Sequence, residues 1–270
     1  MIEESISFGV THMRAFVEVD ATVEFRCLDA GLNLKKEYQD RCYLQICVFA
    51  QDPIFSYEDG GQKMKGSLEE AAKRSGVEVF GSTPYVEDGG NAEQQVKNIK
   101  YAIDLALKHK LHLDLHIDYN LDSNTQPFVL QALNMLHAGN WPTNHQSSDF
   151  RTIVFGHATR LTLFSQQQWQ DLAGKIGNLP VAFVGLPTSD LYMMGKPDND
   201  AGGGVRVRGT LQIPQMIKKY GLNAAIGINN VGNAFTPYGT CDPLSLASSC
   251  VGIYQAGTDG DSTILLVGRS

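Results

Sequence analysis

Leu111-His112-Leu113-Asp114-Leu115-His116-Ile117-Asp118 is the stretch whose reading decides the fold. Its odd positions are all aliphatic and its even positions read His, Asp, His, Asp. Such a period of two marks a β-strand with one apolar face and one face of groups that exchange protons. The segments on either side, Ala92–His109 and Gln126–His137, carry helical spacing. A strand between two helices belongs in the middle of a parallel sheet covered on its outer face. Histidine and aspartate placed there must find partners or do chemistry.

The same alternation recurs outward along the chain. Met13–Val19, Tyr43–Phe49, Val77–Phe80, Thr152–Phe155, Val181–Gly185 and Asn223–Ile228 read as further strands. Between them, Glu24–Tyr38, Leu211–Tyr220 with Gly221 as its cap, and Leu244–Ala256 read as helices. Ser67-Leu68-Glu69-Glu70 and Ser165-Gln166-Gln167-Gln168 have the spacing of capping boxes that open helices. Lys196–Gly204, rich in Asp, Asn and Gly, reads as a lid or surface loop. Seven strands alternating with helices, without a break in composition, predict one parallel α/β domain over residues 1–270. No Gly-rich phosphate turn follows the first strand, where Asp20-Ala21-Thr22 stands instead. Polar residues collect at the strands' C-terminal ends: Glu18, Gln51, His116 with Asp118, His157, and Asn229 with Asn230. A barrel keeps its active site at that end.

Composition narrows the function classes. The chain has 270 residues, 43% of them hydrophobic and 19% charged, within the range of ordinary globular domains. A net charge of -7 offers nothing to nucleic acid. No apolar run reaches membrane-spanning length, and Met1-Ile2-Glu3-Glu4 lacks the basic start of a signal peptide. The 5 cysteines lack metal-type spacing and read as reduced thiols of a cytoplasmic protein.

Six blocks in register resemble the cytosine-deaminase-like branch of the amidohydrolase superfamily, from about Gly9 to about Leu246. They are His12–Val19, Gln45–Asp52 with Tyr57, Val79–Pro84, Asp114–Asp118, Gly156–Thr159 and Gly227–Asn230. The resemblance implies a (β/α)₈ TIM-like barrel of the amidohydrolase type, here incomplete because its first strand is missing. In that family a divalent metal sits on a His-x-His pair of the first strand, two later histidines and an aspartate. His116 and His157 fall on the two later histidines. The His-x-His pair is absent, Asn229 stands at the aspartate, and Tyr119 stands at the proton-shuttling glutamate. Gln51 matches the glutamine that hydrogen-bonds the pyrimidine. Two neutral imidazoles are fewer ligands than catalytic zinc takes, so no metal or other cofactor is expected.

The expected catalytic groups are therefore His116, His157, Asp118 and Tyr119. The expected substrate-binding groups are Gln51, Glu18, Phe49, Thr188, Asp190, Tyr192, Met194, Asn229 and Asn230. Core histidines, a strand-end amide and a structural Arg14–Glu18 ion pair are the plainer alternatives for several of these positions. The favoured function is a metal-independent cyclase, isomerase or lyase acting on a secondary metabolite, a pericyclic cyclisation being its sharpest form. Two alternatives stand beside it: a metal-dependent deaminase or amide hydrolase with an incomplete site, and a non-catalytic protein that binds a ligand or partner. Unpaired edges around a missing strand predict a homodimer, or a segment that fills the gap. The strand-like run Thr263–Val267 is the candidate filler.

Overall fold

The fold is that of a computed structural model, which describes residues 1–196 and 206–268. Most of the predicted Lys196–Gly204 loop lies outside the described residues. In chain order come α1 (Ile2–Ser7), β1 (His12–Glu18), α2 (Arg26–Tyr38), β2 (Tyr43–Ala50), α3 (Gln62–Ala72) and β3 (Val77–Ser82). Next are α4 (Ala92–His109), β4 (His112–Ile117), α5 (Phe128–Ala138), β5 (Ile153–His157), α6 (Gln166–Ile176) and β6 (Val181–Gly185). The chain continues through α7 (Pro187–Met193), α8 (Ile213–Tyr220), β7 (Ala224–Ile226), α9 (Pro243–Ile253) and α10 (Asp259–Val267).

The seven strands form one sheet in sequential order, and every neighbouring pair is parallel. The sheet is curled. Arg14 on β1 reaches Asp114 on β4 at 2.5 Å, although three strand spacings of a flat sheet would separate them by about 14 Å. Phe16 and His116, on the same two strands, bring their ring centroids to 5.1 Å. Among the described residues β1 and β7 end the sheet, and no pairing joins them.

Period two sorts each strand between the two faces. On β4, Leu113, Leu115 and Ile117 turn outward and are buried under helices, while His112, Asp114 and His116 line the concave side. On β1, Val17 joins the outer core and Arg14 and Phe16 turn inward. The helices follow from local signals. Asn91 caps α4 by accepting from the Glu93 and Gln94 N–H groups, and Ile99, Ala102, Ile103 and Ala106 form its buried stripe. Ser165 and Gln168 form the expected capping box of α6.

Two expectations need correction. α3 starts at Gln62, not at Ser67, because Asp59 accepts from the Gly61 and Lys63 N–H groups and sets the first turn earlier. Gly61 there has φ +74°, and any Cβ would lie 1.7 Å from the Ile54 carbonyl oxygen. Thr263–Val267 is helical, within α10, and not a strand filling a gap. Thr258 and Asp261 cap it reciprocally, and Leu265 packs on Leu246, Ala247 and Cys250. The cap and that apolar contact override the β-branched composition.

Candidate functional site

The site lies at the C-terminal ends of β4 and β5, on the concave face. His116 alternates inward on β4 with Asp114. It has room because residue 156 is glycine: a Cβ there would stand 2.8 Å from His116 Cδ2. His157 has the parity of Ile153 and Phe155, which pack in the outer core, so strict alternation would turn it outward. Instead the strand breaks there, with φ +61° at His157 and +44° at Ala158. The ring thereby meets His116 edge to face, with centroids 5.0 Å apart and an interplanar angle of 82°.

A carboxylate backs His157. Asp190, from α7, accepts a hydrogen bond from His157 Nδ1 at 2.6 Å, and both residues are buried. With Nδ1 carrying the proton, the lone pair resides on Nε2. His116 faces a looser carboxylate: its Nε2 is 3.6 Å from Asp114 Oδ1, too far for a hydrogen bond. That oxygen has no partner among the described residues, while Oδ2 holds Arg14. Burial raises the Asp114 carboxyl to about 6 against the pull of Arg14. Burial first, then the positive charge that His157 carries once protonated and that of Arg14, drive His116 far below the usual imidazole range, so it is neutral.

Tyr119 completes the group. Its ring lies 4.2 Å from that of His157 and 5.6 Å from that of Tyr85. Its hydroxyl is buried with no partner among the described residues. Burial, reinforced by Asp190 and Tyr85, raises its pKa, so the phenol keeps its proton. Phe49 and Phe16 form an aromatic wall on the far side of His116, at 4.8 and 5.1 Å, and Phe16 remains 41% exposed. The hollows of about 230 and 420 Å³ lie elsewhere, beside Leu111 and Trp141 and beside His145 and Pro180.

Other expected residues take different places. Asp118 follows β4 at φ +54°, and its two oxygens accept from the Phe128 and Val129 N–H groups. Its carboxylate thereby caps the first turn of α5. Asp190, expected among the substrate-binding groups, is wholly buried with one carboxylate oxygen on the His157 ring. Arg14 pairs with Asp114 and Gln45, not with Glu18. Glu18 is half-buried at the end of β1, and burial with the nearby Asp20 and Asp52 charges raises its carboxyl. Gln51 is exposed at the end of β2, two residues beyond Phe49. Asn229 donates to Ser189 Oγ at 3.0 Å, and Asn230 beside it is half-buried. Thr188 gives its carbonyl to the Tyr238 hydroxyl, Tyr192 lies 6.1 Å from the Tyr238 ring, and Met194 ends α7 half-buried.

The metal implied by the resemblance can be tested against these donors. His157, its Nδ1 held by Asp190, offers Nε2 as a single donor, and the Asn229 amide nitrogen donates to Ser189. Phe16, an aromatic ring, takes the inward place beside His116 on β1. Among the described residues no three His, Cys, Asp or Glu side chains come together in a way that could hold an ion. This donor set does not fit a catalytic divalent cation, which takes three or more protein ligands.

No protein-family model matches the chain, and no curated protein matches it. Solved structures do. The chain is similar to 5-methylcytosine deaminase from Klebsiella pneumoniae, liganded with 5-fluorocytosine, at a TM-score of 0.79 and 21% identity over 96% of this chain. It is also similar to N-isopropylammelide isopropylaminohydrolase from Burkholderia multivorans, at a TM-score of 0.73 and 19% identity over 100% of this chain. It spans 58% and 60% of the length of those two chains. At such identities the likeness establishes a shared fold, an α/β architecture around a curled parallel sheet. No described helix is long and apolar enough to cross a membrane.

Proposed function

We propose that this chain is a small-molecule enzyme whose general base is His157 held by Asp190, and whose first reaction class is hydrolysis of a carbon–nitrogen bond. The buried 2.6 Å hydrogen bond between the two residues carries this reading, because it fixes the tautomer that leaves Nε2 able to take a proton. The names of the two proteins that share the fold, a deaminase and an aminohydrolase, support hydrolysis as the class.

The steps follow from the residues present. His157 Nε2 takes a proton from water, and the hydroxide oxygen bonds to the carbon that bears the leaving nitrogen. Tyr119, still protonated, donates a hydrogen bond to the atom where negative charge gathers. The imidazolium then returns its proton to the departing nitrogen as the carbon–nitrogen bond breaks. Neutral His116 and the Phe16–Phe49 wall hold the reacting ring or chain in place. A divalent metal supplies hydroxide in related chemistry, but the residues here do not fit one. No step is routed through it.

A second reading, a metal-independent cyclase, isomerase or lyase acting on a mostly apolar secondary metabolite, is favoured by that poor fit together with the exposed Phe16 of the aromatic wall. The same base and the same confinement would serve it.

Product mass separates the two. The purified protein is incubated with a panel of cyclic amidines, amides and polyunsaturated precursors, and products are weighed by mass spectrometry. Hydrolysis yields a product that has gained water and lost ammonia or an amine. Cyclisation or isomerisation leaves the mass unchanged. Turnover of either kind that persists undiminished in His157→Gln contradicts the proposal, and binding without turnover assigns the chain to the non-catalytic class.

A further inference from the structure

We propose that Thr210 is a positioning residue for His157, its hydroxyl holding Asp190 in the one orientation that pins the imidazole. The inference rests on His157 being the base and extends that assignment to a residue 53 positions away in the chain. Asp190 is a wholly buried carboxylate with two oxygens to satisfy. Oδ1 takes the His157 Nδ1 proton at 2.6 Å, and Oδ2 takes the Thr210 hydroxyl at 2.7 Å. Thr210 is itself buried, 2% exposed.

Burial makes this arrangement consequential. A carboxylate out of water is stable only when donors occupy its lone pairs. The short α7 that carries Asp190 leaves the carboxylate's rotation about its own side-chain bonds to be set by partners. His157 supplies one and Thr210 the other. Thr210 is held in turn, because the Arg208 guanidinium donates to the Leu191 carbonyl and clasps this segment onto α7. The buried Leu211 anchors it on the other side. Other groups that press on the pair are His116 from β4 and the phenols of Tyr85, Tyr119 and Tyr254, the last of them beside Thr210 as well. Among the described residues none of them donates to Asp190, so loss of the Thr210 hydroxyl frees Oδ2, lets the carboxylate rotate, and loosens the imidazole.

The test reads the His157 ring directly in the full chain, with no substrate needed. In ¹⁵N-histidine-labelled protein the Nδ1–H held at a buried carboxylate gives a far-downfield, slowly exchanging resonance, assigned by its loss in His157→Gln. Thr210→Val, which keeps shape and removes the donor, is expected to broaden that resonance away or move it upfield. Thr210→Ser is expected to restore it. With a substrate in hand, kcat falls about tenfold in Thr210→Val with KM unchanged, and recovers in Thr210→Ser. Thr210→Ala serves in the same way should the valine variant not fold. A folded Thr210→Val with an unaltered resonance and unaltered kcat overturns the proposal. Turnover that ignores His157→Gln overturns the base assignment alone, since the resonance reports the pinning independently.

Discussion

At the scale of single residues the site depends on two backbone positions as much as on its imidazoles. Gly156 lets the His116 ring lie across β5, and a Cβ would meet that ring at 2.8 Å from backbone that cannot yield. Gly156→Ala is therefore expected to displace His116 and lower turnover at least tenfold while the secondary structure holds, as read by kinetics beside circular dichroism. Replacing His157 with Gln removes the base and is expected to cost about 10²–10⁴ in kcat/KM with little loss of melting temperature. His112 makes a different prediction. Its Nδ1 accepts from the Thr152 N–H at 2.9 Å, and burial, with Arg14 and Arg151 nearby, lowers its pKa from 6.5 to about 4. Between those values the unfolded chain binds a proton that the folded chain refuses, so His112 makes stability rise with pH, by up to about 1.4 kcal/mol per unit. Asp114 and Asp118, raised from 3.8 to about 6, act with the opposite sign and lose stability as pH rises through that window. Urea unfolding across pH 4 to 6.5 is expected to show His112→Asn shifting the slope downward. An unchanged slope contradicts the neutral, half-buried state assigned to it.

At the scale of elements, β4 was legible because its period of two survives without interruption from His112 to Ile117. β5 was legible as a strand, and the inward turn of His157 was not, since it depends on positive φ at two non-glycine residues. The Asp190–His157 pair spans 33 residues and the Arg14–Asp114 pair spans 100. Neither has a local spacing to read, and both emerge only once the sheet curls. The sequence pattern could have revealed α10, whose Thr258-x-x-Asp261 box is a recognised start signal. The aliphatic run after it suggested a strand instead. Asp118 belongs to this scale too. It fastens the first turn of α5 to the end of β4 from ten residues away. Asp118→Ala is expected to destabilise the fold by about 1–2 kcal/mol through the lost cap, while leaving turnover measurable at low temperature. Abolished turnover in a stable Asp118→Ala variant would return that carboxylate to the chemistry.

At the scale of the whole molecule, the curl of seven parallel strands is what converts scattered polar residues into one site. It brings β1 against β4 across the concave side and sets α7, which follows β6, behind the end of β5. The fold and the meeting of His116 with His157 follow from the order of the sequence blocks. The pairing of His157 with Asp190 is what no block marked, because Asp190 lies outside all six. The end strands β1 and β7 remain unpaired with each other among the described residues. Association through such edges predicts a sedimentation mass of twice the 29.6 kDa chain mass, and a monomer at all concentrations contradicts it. The central claim is that the His157–Asp190 base works with donors that do not suit a catalytic cation. Elemental analysis of the purified, active protein tests it most directly. Metal well below one equivalent, with turnover unaffected by chelation, is the predicted result. One equivalent of zinc or iron, whose removal abolishes turnover, would contradict it.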